Sequence, residues 1–328
     1  MPFAPNSPTL SIVIVNWRSV TFLAQCLRTI VQETKDLPFE VIVIDNASFD
    51  GSEEMVHREF PQTLFIQSKD NLGFSRGNNQ AFARSRGKYI LFLNPDTEIT
   101  GDALAMLVNC LEADPKAGIV GPKLLNSDGS LQTSCVQAFP TILNQVFDAE
   151  ALRRLFPNSS LWGVSALYRD DPAPAKVDVI SGASLMIRRD VFEEVGQFST
   201  DYFMYSEDVD LCYKVHSAGW KVVYLSGATV VHHGGQSSSK KAESNFAAVM
   251  IRESLYSYFK VRRGPLYAGA FRVTAGLFAM FRLALLLVLY CVTFGKYGDG
   301  SWPASFGKWR SIFRWSLGLE QIAESPAK

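Results

Sequence analysis

Five places in this chain set acidic, amide or imidazole side chains directly after apolar runs, where a folded protein presents them to a ligand. In YILFLNPDTEI an apolar stretch beginning at Tyr89 delivers Asn94, Pro95 and Asp96 abruptly into a turn. A carboxylate at the end of a buried strand suits a divalent cation that also holds a diphosphate, because hard oxygen ligands with an open shell leave room for phosphate oxygens and water. Upstream, LSIVIVN ends at Asn16 and EVIVIDNASFDG turns at Asp45 and Asn46. Downstream, YSEDVDL groups Glu207, Asp208 and Asp210 at the start of a helical pattern, behind the aromatic, apolar approach of residues 202–205. Desolvation there could tune Glu207 or Asp208 as a general base. Acidic residues at a helix start also gain from its dipole and unpaired amides, and for Asp210 that structural reading stands level with a functional one. In GATVVHHGGQS a short strand ends in His232 and His233. Neighbouring strand residues face opposite ways, so one imidazole can meet the same crevice as Asp96. Aspartate with histidine suits manganese or magnesium better than a closed zinc site.

The elements that must position these residues follow from the apolar pattern. Continuous apolar runs ending in polar residues read as parallel strands buried on both faces, whose carboxyl ends open into a ligand crevice. Between them, helical periodicity covers residues 20–33, 52–59, 73–86 and 102–113. Alternating strand and helix predicts an α/β fold with a doubly wound, mainly parallel sheet. The loop DNLGFSRGNNQAF places Gly73 and Gly77 at a helix start, where backbone amides could face an anion or simply enter the helix. The expected organisation is a tail over 1–9, an α/β domain over 10–240 in two halves (10–125 and 126–240), and a helical, basic and hydrophobic region over 241–328. The stretch 132–176 carries few signals and reads as a variable insertion.

Composition sets the bounds. With 328 residues, 47% hydrophobic and 20% charged, the chain can bury a large core and is no disordered adaptor. Its five cysteines (26, 110, 135, 212 and 291) are scattered, which argues against a disulfide frame or a thiolate zinc site and for a reducing compartment. The start, MPFAPNSPTL, lacks the charged-then-apolar pattern of a secretory signal, so the active face is expected in the cytoplasm. The zero net charge hides an asymmetry: residues 236–314 hold twelve Lys or Arg against Glu243, Glu253 and Asp299. The same portion contains an apolar run over 273–294, interrupted only by Arg282, of about the length that crosses a bilayer. With Arg282 near its middle and cations at both ends, an in-plane or re-entrant arrangement is expected over a span. Past the GKYGDG turn, Trp302, Phe306, Trp309 and Phe313 recur at helical spacing among Lys308, Arg310 and Arg314, as on an interfacial helix; packing against the catalytic domain is the alternative. No nucleic-acid motif accompanies the positive charge.

No G-x-G-x-x-G follows the first strand, and there is no P-loop lysine or G-x-S-x-G elbow, so dehydrogenase, ATPase and serine-hydrolase readings lose their supports. The motifs in order, IVIVNWRS, IVIDNASFDGS, NLGFSRGNN, FLNPDTEI and YSEDVDL, resemble those of the family 2 glycosyltransferases, inverting enzymes of the GT-A fold, and in particular the bacterial rhamnosyltransferase-like members that build cell-surface glycans. The resemblance covers residues 10 to about 240 and implies a nucleotide-binding half over 10–125 and an acceptor half over 126–240, with the insertion 132–176 on the acceptor side. It implies nucleotide contacts near Asn16 and, for the base, at Asp45, with Asn71, Gly73 and Asn79 as further donor contacts. The family's metal-binding acidic pair falls on Asn94 and Asp96, with asparagine replacing the first aspartate; the histidine of the closing strand falls on His232. Of Glu207 and Asp208, the second is the family's catalytic base. The resemblance further implies a divalent metal (Mn2+ or Mg2+), a nucleoside-diphosphate sugar donor, with dTDP-rhamnose first and UDP-hexose second, and a lipid-linked or polysaccharide acceptor. With the basic, apolar C-terminal region, the expected location is the cytoplasmic face of the plasma membrane, on the membrane surface. Rival readings are a nucleotidyltransferase, which lacks its basic glycine-rich signature here, a hydrolase using Asp96 and Asp208, and a binding scaffold, to which Asn94 lends weight and the Glu207–Asp208 pair does not.

Overall fold

The computed structural model describes residues 8–147, 150–169, 171–234, 241–293 and 302–320. Most of the expected N-terminal tail, Gly235 and the GKYGDG turn lie outside the described residues. The strands are β1 (Leu10–Asn16), β2 (Phe39–Asp45), β3 (Leu64–Gln67), β4 (Tyr89–Leu93), β5 (Thr97–Ile99), β6 (Ala117–Leu125), β7 (Val136–Gln137), β8 (Ala175–Val177), β9 (Val179–Ile180), β10 (Ser184–Arg188) and β11 (Lys221–His232). The helices are α1 (Val20–Glu33), α2 (Ser52–Glu59), α3 (Gly73–Phe82), α4 (Ala103–Ala113), α5 (Ile142–Val146), α6 (Glu150–Leu155), α7 (Arg189–Glu194), α8 (Glu207–Ser217), α9 (Lys241–Arg263), α10 (Pro265–Val292) and α11 (Trp302–Ser316).

By contacts the chain forms two units, Met1–Phe139 with Asp148–Phe203 and Glu207–Ser237, and Pro140–Phe147 with Met204–Ser206 and Ser238–Lys328. The first unit is built on a sheet of order β3-β2-β1-β4-β10-β6-β11-β5, with β8 beside β11. Strands β3, β2, β1 and β4 are parallel. The inner strands β1, β2 and β4 are mainly apolar because both faces are covered, and β4 is wholly buried. On α1, Leu23, Leu27 and Ile30 recur at helical spacing and are buried. Strand β10 runs antiparallel between β4 and β6. Its start therefore lies at the carboxyl ends of the parallel strands, and the Asn94 amide donates to the Ala183 carbonyl at 3.0 Å.

Two elements differ from their sequence reading. Helix α3 stops at Phe82 instead of running to Arg86. The amides beyond it find tertiary partners: Arg86 N–H donates to Glu40 Oε1 at 2.6 Å and Gly87 N–H to Ser11 Oγ at 2.7 Å. A helix cannot keep amides that side chains of β1 and β2 already bind. The closing strand is long, twelve residues from Lys221, because it pairs parallel with β6 across an irregularity between Leu225 and Thr229 before reaching β5. Among its described residues the signal-poor stretch 132–176 holds short pieces, including β7, which pairs with β9, the helices α5 and α6, and the start of β8.

The second unit is helical. Gly264, at φ 89°, separates α9 from α10, and Pro265 opens the next helix where its missing N–H costs nothing. Ala248 of α9, Ala279 of α10 and Ile312 of α11 meet in a buried cluster with Trp309 and Phe313 around it. Close approach depends on Gly276, where a Cβ would lie 2.4 Å from Ser316 Oγ. Trp315 Nε1–H donates to Glu253 Oε2 at 2.6 Å, tying α11 to α9.

Candidate active site

The carboxyl ends of the sheet gather most of the residues singled out above. Asn16 and Asp45 lie side by side because β1 and β2 pair in that register. Asn16 Nδ2 donates to Asp45 Oδ1 at 2.7 Å and to Ser52 Oγ at 3.1 Å. The other Asp45 oxygen accepts from Ser48 N–H at 2.7 Å and Gln67 Nε2 at 2.9 Å. Both oxygens are thus engaged in a residue 1% exposed, and Asp45 organises the ends of three strands. Gln67 also donates to the Ser68 carbonyl at 3.0 Å, and it lines a small polar cleft with Phe49, Asp50, Ser52 and Glu53.

At the entrance to α3, Asn71 Oδ1 accepts from Gly73 N–H at 3.0 Å, and Asn46 Nδ2 donates to the Gly73 carbonyl at 3.0 Å. Gly73 has φ +72° and a Cβ there would stand 2.4 Å from the Phe203 carbonyl oxygen, so no other residue fits. Asn79 uses both ends of its amide on the Phe198 backbone, donating at 2.9 Å and accepting at 3.2 Å. Gly73 and Asn79 therefore fasten α3 to the segment that leads into α8.

Strand pairing unites Asp96 with His232. Antiparallel β11 sets His232 opposite Thr97, and His232 Nε2 lies 3.3 Å from Asp96 Oδ1 and 3.3 Å from Asn94 Nδ2. Gln132 Oε1 is 2.8 Å from His232 Nδ1. The Gln132 amide nitrogen is engaged by Asn126 Oδ1 at 3.0 Å, so the oxygen faces the ring and Nδ1 carries the hydrogen. Nε2 then presents its lone pair towards the carboxylate. Two Lewis bases converging on one point fit a divalent cation, and the side chains are each 14% exposed, open to further ligands. Among the described residues no cluster of three or more His, Cys, Asp or Glu forms a metal site. His233 faces elsewhere: Nδ1 is 2.8 Å from Ser127 Oγ and Nε2 2.7 Å from Glu98 Oε1.

Asp208 is half-buried at the start of α8. Its Oδ2 accepts from Gly182 N–H at 2.8 Å and its Oδ1 from Val209 N–H at 2.8 Å. Burial raises its proton affinity while these amides pull the other way. Glu207 is 6% exposed, and among the described residues nothing bonds its Oε2. Burial first, and the Asp208 charge second, push its pKa up to about 8. The two preceding residues, Tyr205 and Ser206, have φ 70° and 65°. Non-glycine residues are strained there, and two in succession turn the chain sharply into α8. Asp210 is structural: it is fully buried and accepts from Ser199 Oγ at 2.6 Å and Tyr202 OH at 3.2 Å.

Three contributors escape a reading by motif. Gly182 holds the Asp208 carboxylate, Gln132 orients His232, and Gln67 sits under Asp45. SGAS (residues 181–184) carries a small-residue signal that close backbone approach predicts; Gln132 and Gln67 carry none.

Comparison with known proteins gives the chain a family. Residues 11–196, more than half of the chain, match the model of glycosyl transferase family 2. The N-acetylglucosaminyl-diphospho-decaprenol L-rhamnosyltransferase of Mycobacterium tuberculosis is 29% identical over 250 residues, covering 73% of this chain and 80% of that protein. The low-salt glycan biosynthesis hexosyltransferase of Haloferax volcanii is 26% identical over 228 residues, covering 68% of this chain and 67% of that protein. Among solved structures, a mannosyltransferase from Pyrobaculum calidifontis in complex with GDP-Man and Mn2+ matches with TM-score 0.59 at 16% identity, covering 97% and 89% of the two chains. At that identity the likeness speaks for the fold, which is of the expected GT-A type.

Proposed function

Because the chain belongs to glycosyl transferase family 2, we propose that this glycosyltransferase moves rhamnose from dTDP-rhamnose, or in second place a hexose from a UDP-sugar, to a hydroxyl of a polyprenyl-diphosphate-linked glycan. The carrying observation is one short loop. Gly182 N–H binds the Asp208 carboxylate while the next residue, Ala183, accepts the Asn94 amide. The candidate base and the candidate cation end of the site are thus held by adjacent residues.

The chemistry follows from that placement. Asp208 takes the proton of the acceptor hydroxyl as its oxygen attacks the anomeric carbon, and the bond from that carbon to the diphosphate oxygen breaks on the opposite face. The sugar is inverted in one displacement, with no covalent sugar–enzyme intermediate. Desolvation strengthens Asp208 as a base, and Glu207, its pKa pushed up to about 8, keeps its own proton at neutral pH and adds little negative charge beside it. Asp96 and His232 would hold a divalent cation, which when bound neutralises charge growing on the departing diphosphate. With Asp45 fully engaged, Gln67 is the better candidate to meet the base: its Nε2 is used on Asp45 and Ser68, leaving Oε1 as an acceptor for the N3–H that thymine and uracil share.

The mycobacterial relative's name carries a diphospho-decaprenol acceptor, and the long apolar helix α10 supports the same class here, met at the cytoplasmic leaflet. Calorimetry with a panel of dTDP- and UDP-sugars, with and without Mn2+, tests the reading. Metal-dependent binding of one donor, lost in Asp96→Ala, is expected; binding of no donor refutes it.

A further inference from the structure

Helix α10 is long and apolar enough to cross a membrane, yet its neighbours argue for a different placement. Val273, Leu277, Met280, Phe281, Val288 and Val292 are each at least half exposed and recur at helical spacing along one side. The opposite side is packed: Phe271, Gly276 and Ala279 are buried. Its two arginines are turned to that packed side. Arg282 lies 5.4 Å from the ring centroids of both Phe278 and Trp309, and Arg272 donates to the Trp315 carbonyl at 2.8 Å while covering Tyr256 and Trp315. The cation that interrupts the apolar run therefore leaves the exposed stripe unbroken.

Helix α11 returns antiparallel along α10. Tyr290 meets Trp302 at 4.5 Å, Phe278 meets Trp309 at 5.6 Å and Phe271 meets Trp315 at 6.2 Å. If α10 crossed a bilayer, α11 would be carried in beside it, and Lys308 and exposed Arg310 would sit level with Phe278, deep in hydrocarbon. With α10 lying flat, the same cations and exposed Lys260 and Arg263 stay out of the hydrocarbon while the stripe enters the acyl boundary.

We infer that α10 lies in the plane of an anionic membrane leaflet, its Val273–Val292 stripe in the lipid, and anchors the chain without crossing. A continuous exposed apolar stripe marks an interaction surface, and cations near a stripe that carries no acid match anionic lipid. The inference deepens the lipid-linked acceptor reading, on which its cellular meaning rests, but it is tested without donor or acceptor.

Cys291 is exposed and the other four cysteines are buried, so Cys291→Ser leaves a background for single labels at Val273→Cys, Met280→Cys and Val288→Cys. Each purified full-length variant carries a nitrobenzoxadiazole label and is mixed with phosphatidylglycerol/phosphatidylcholine vesicles containing lipids doxylated at carbon 5 or carbon 12. All three labels should be quenched more by the shallow doxyl, with binding weakened in pure phosphatidylcholine and at high salt. Stronger quenching of the Met280 label by the deep doxyl, with its neighbours shallow, overturns the inference in favour of a span. No lipid quenching, with cross-linking between Met280→Cys copies, overturns it in favour of a protein–protein interface. Flotation of unlabelled Leu277→Ser/Phe281→Ser protein with vesicles should fall at least tenfold, and unchanged flotation also refutes it.

Discussion

Replacing Glu207 with glutamine isolates the consequence of burying an unpaired carboxyl beside a second one. In the folded chain Glu207 holds its proton up to about 8, against an ordinary 4.5. Below about pH 4.5 both folded and unfolded chains are protonated and the residue contributes no pH dependence. Between 4.5 and 8 the unfolded chain has released a proton that the folded chain keeps, so stability falls as pH rises, by up to about 1.36 kcal/mol per pH unit. Above 8 both are ionised and the full penalty stands, on the order of 4–5 kcal/mol. Glutamine has nearly the same shape, imitates the protonated acid and cannot ionise. Urea unfolding of both proteins from pH 5 to 8, followed by near-ultraviolet circular dichroism, reads the difference directly. The glutamine variant should match wild type near pH 5 and gain on it steadily, by several kcal/mol, towards pH 8. Its turnover at pH 7 should stay within a few-fold, since wild type is already mostly neutral there. A stability difference that does not change between pH 5 and 8 refutes the reasoning, and so does a loss of turnover as large as that expected of the base itself.

Asp208→Asn should lower kcat by about 10²- to 10⁴-fold while donor affinity, measured by calorimetry, stays close to wild type; normal turnover removes Asp208 as base. Gly182→Ala puts a Cβ 3.3 Å from Asp208 Cβ and 3.5 Å from its Oδ2, so kcat should fall with KM for donor little changed and the acidic limb of the pH–rate profile displaced. His232→Ala should weaken donor binding in Mn2+ far more than in its absence, a contrast that titration calorimetry resolves. Asn79→Ala leaves the Phe198 amide and carbonyl without their partner and should cost about 1–3 kcal/mol in urea unfolding.

Local pattern was enough for the elements that make their own case. Residues 20–33 and 52–59 are helices to the residue because apolar spacing and flanking breakers act within a few positions. The apolar runs ending at Asn16 and Asp45 and before Asn94 are strands that open together at one edge, as parallel burial requires. Asp96, Glu207 and Asp208 stood out for the same reason: each is a charge set against an apolar run, and only a site or a strained partner justifies it.

Tertiary structure decided what depends on partners distant in sequence. Which histidine turns to Asp96 is a matter of β11–β5 register, and a slip of one residue would exchange the environments of His232 and His233. The end of α3 depends on Ser11 and Glu40, more than forty positions upstream of Arg86. Asp45 reads as a ligand contact from its strand end, and only the fold shows that Asn16, Ser48 and Gln67 already bind its oxygens. Arg282 reads as an obstacle inside an apolar run until α11 folds back and sandwiches it against Phe278. A side chain's type and periodicity are local properties that the sequence states outright. Its hydrogen-bond partners, and therefore its charge state and its role, are set by segments that meet only when the chain has folded.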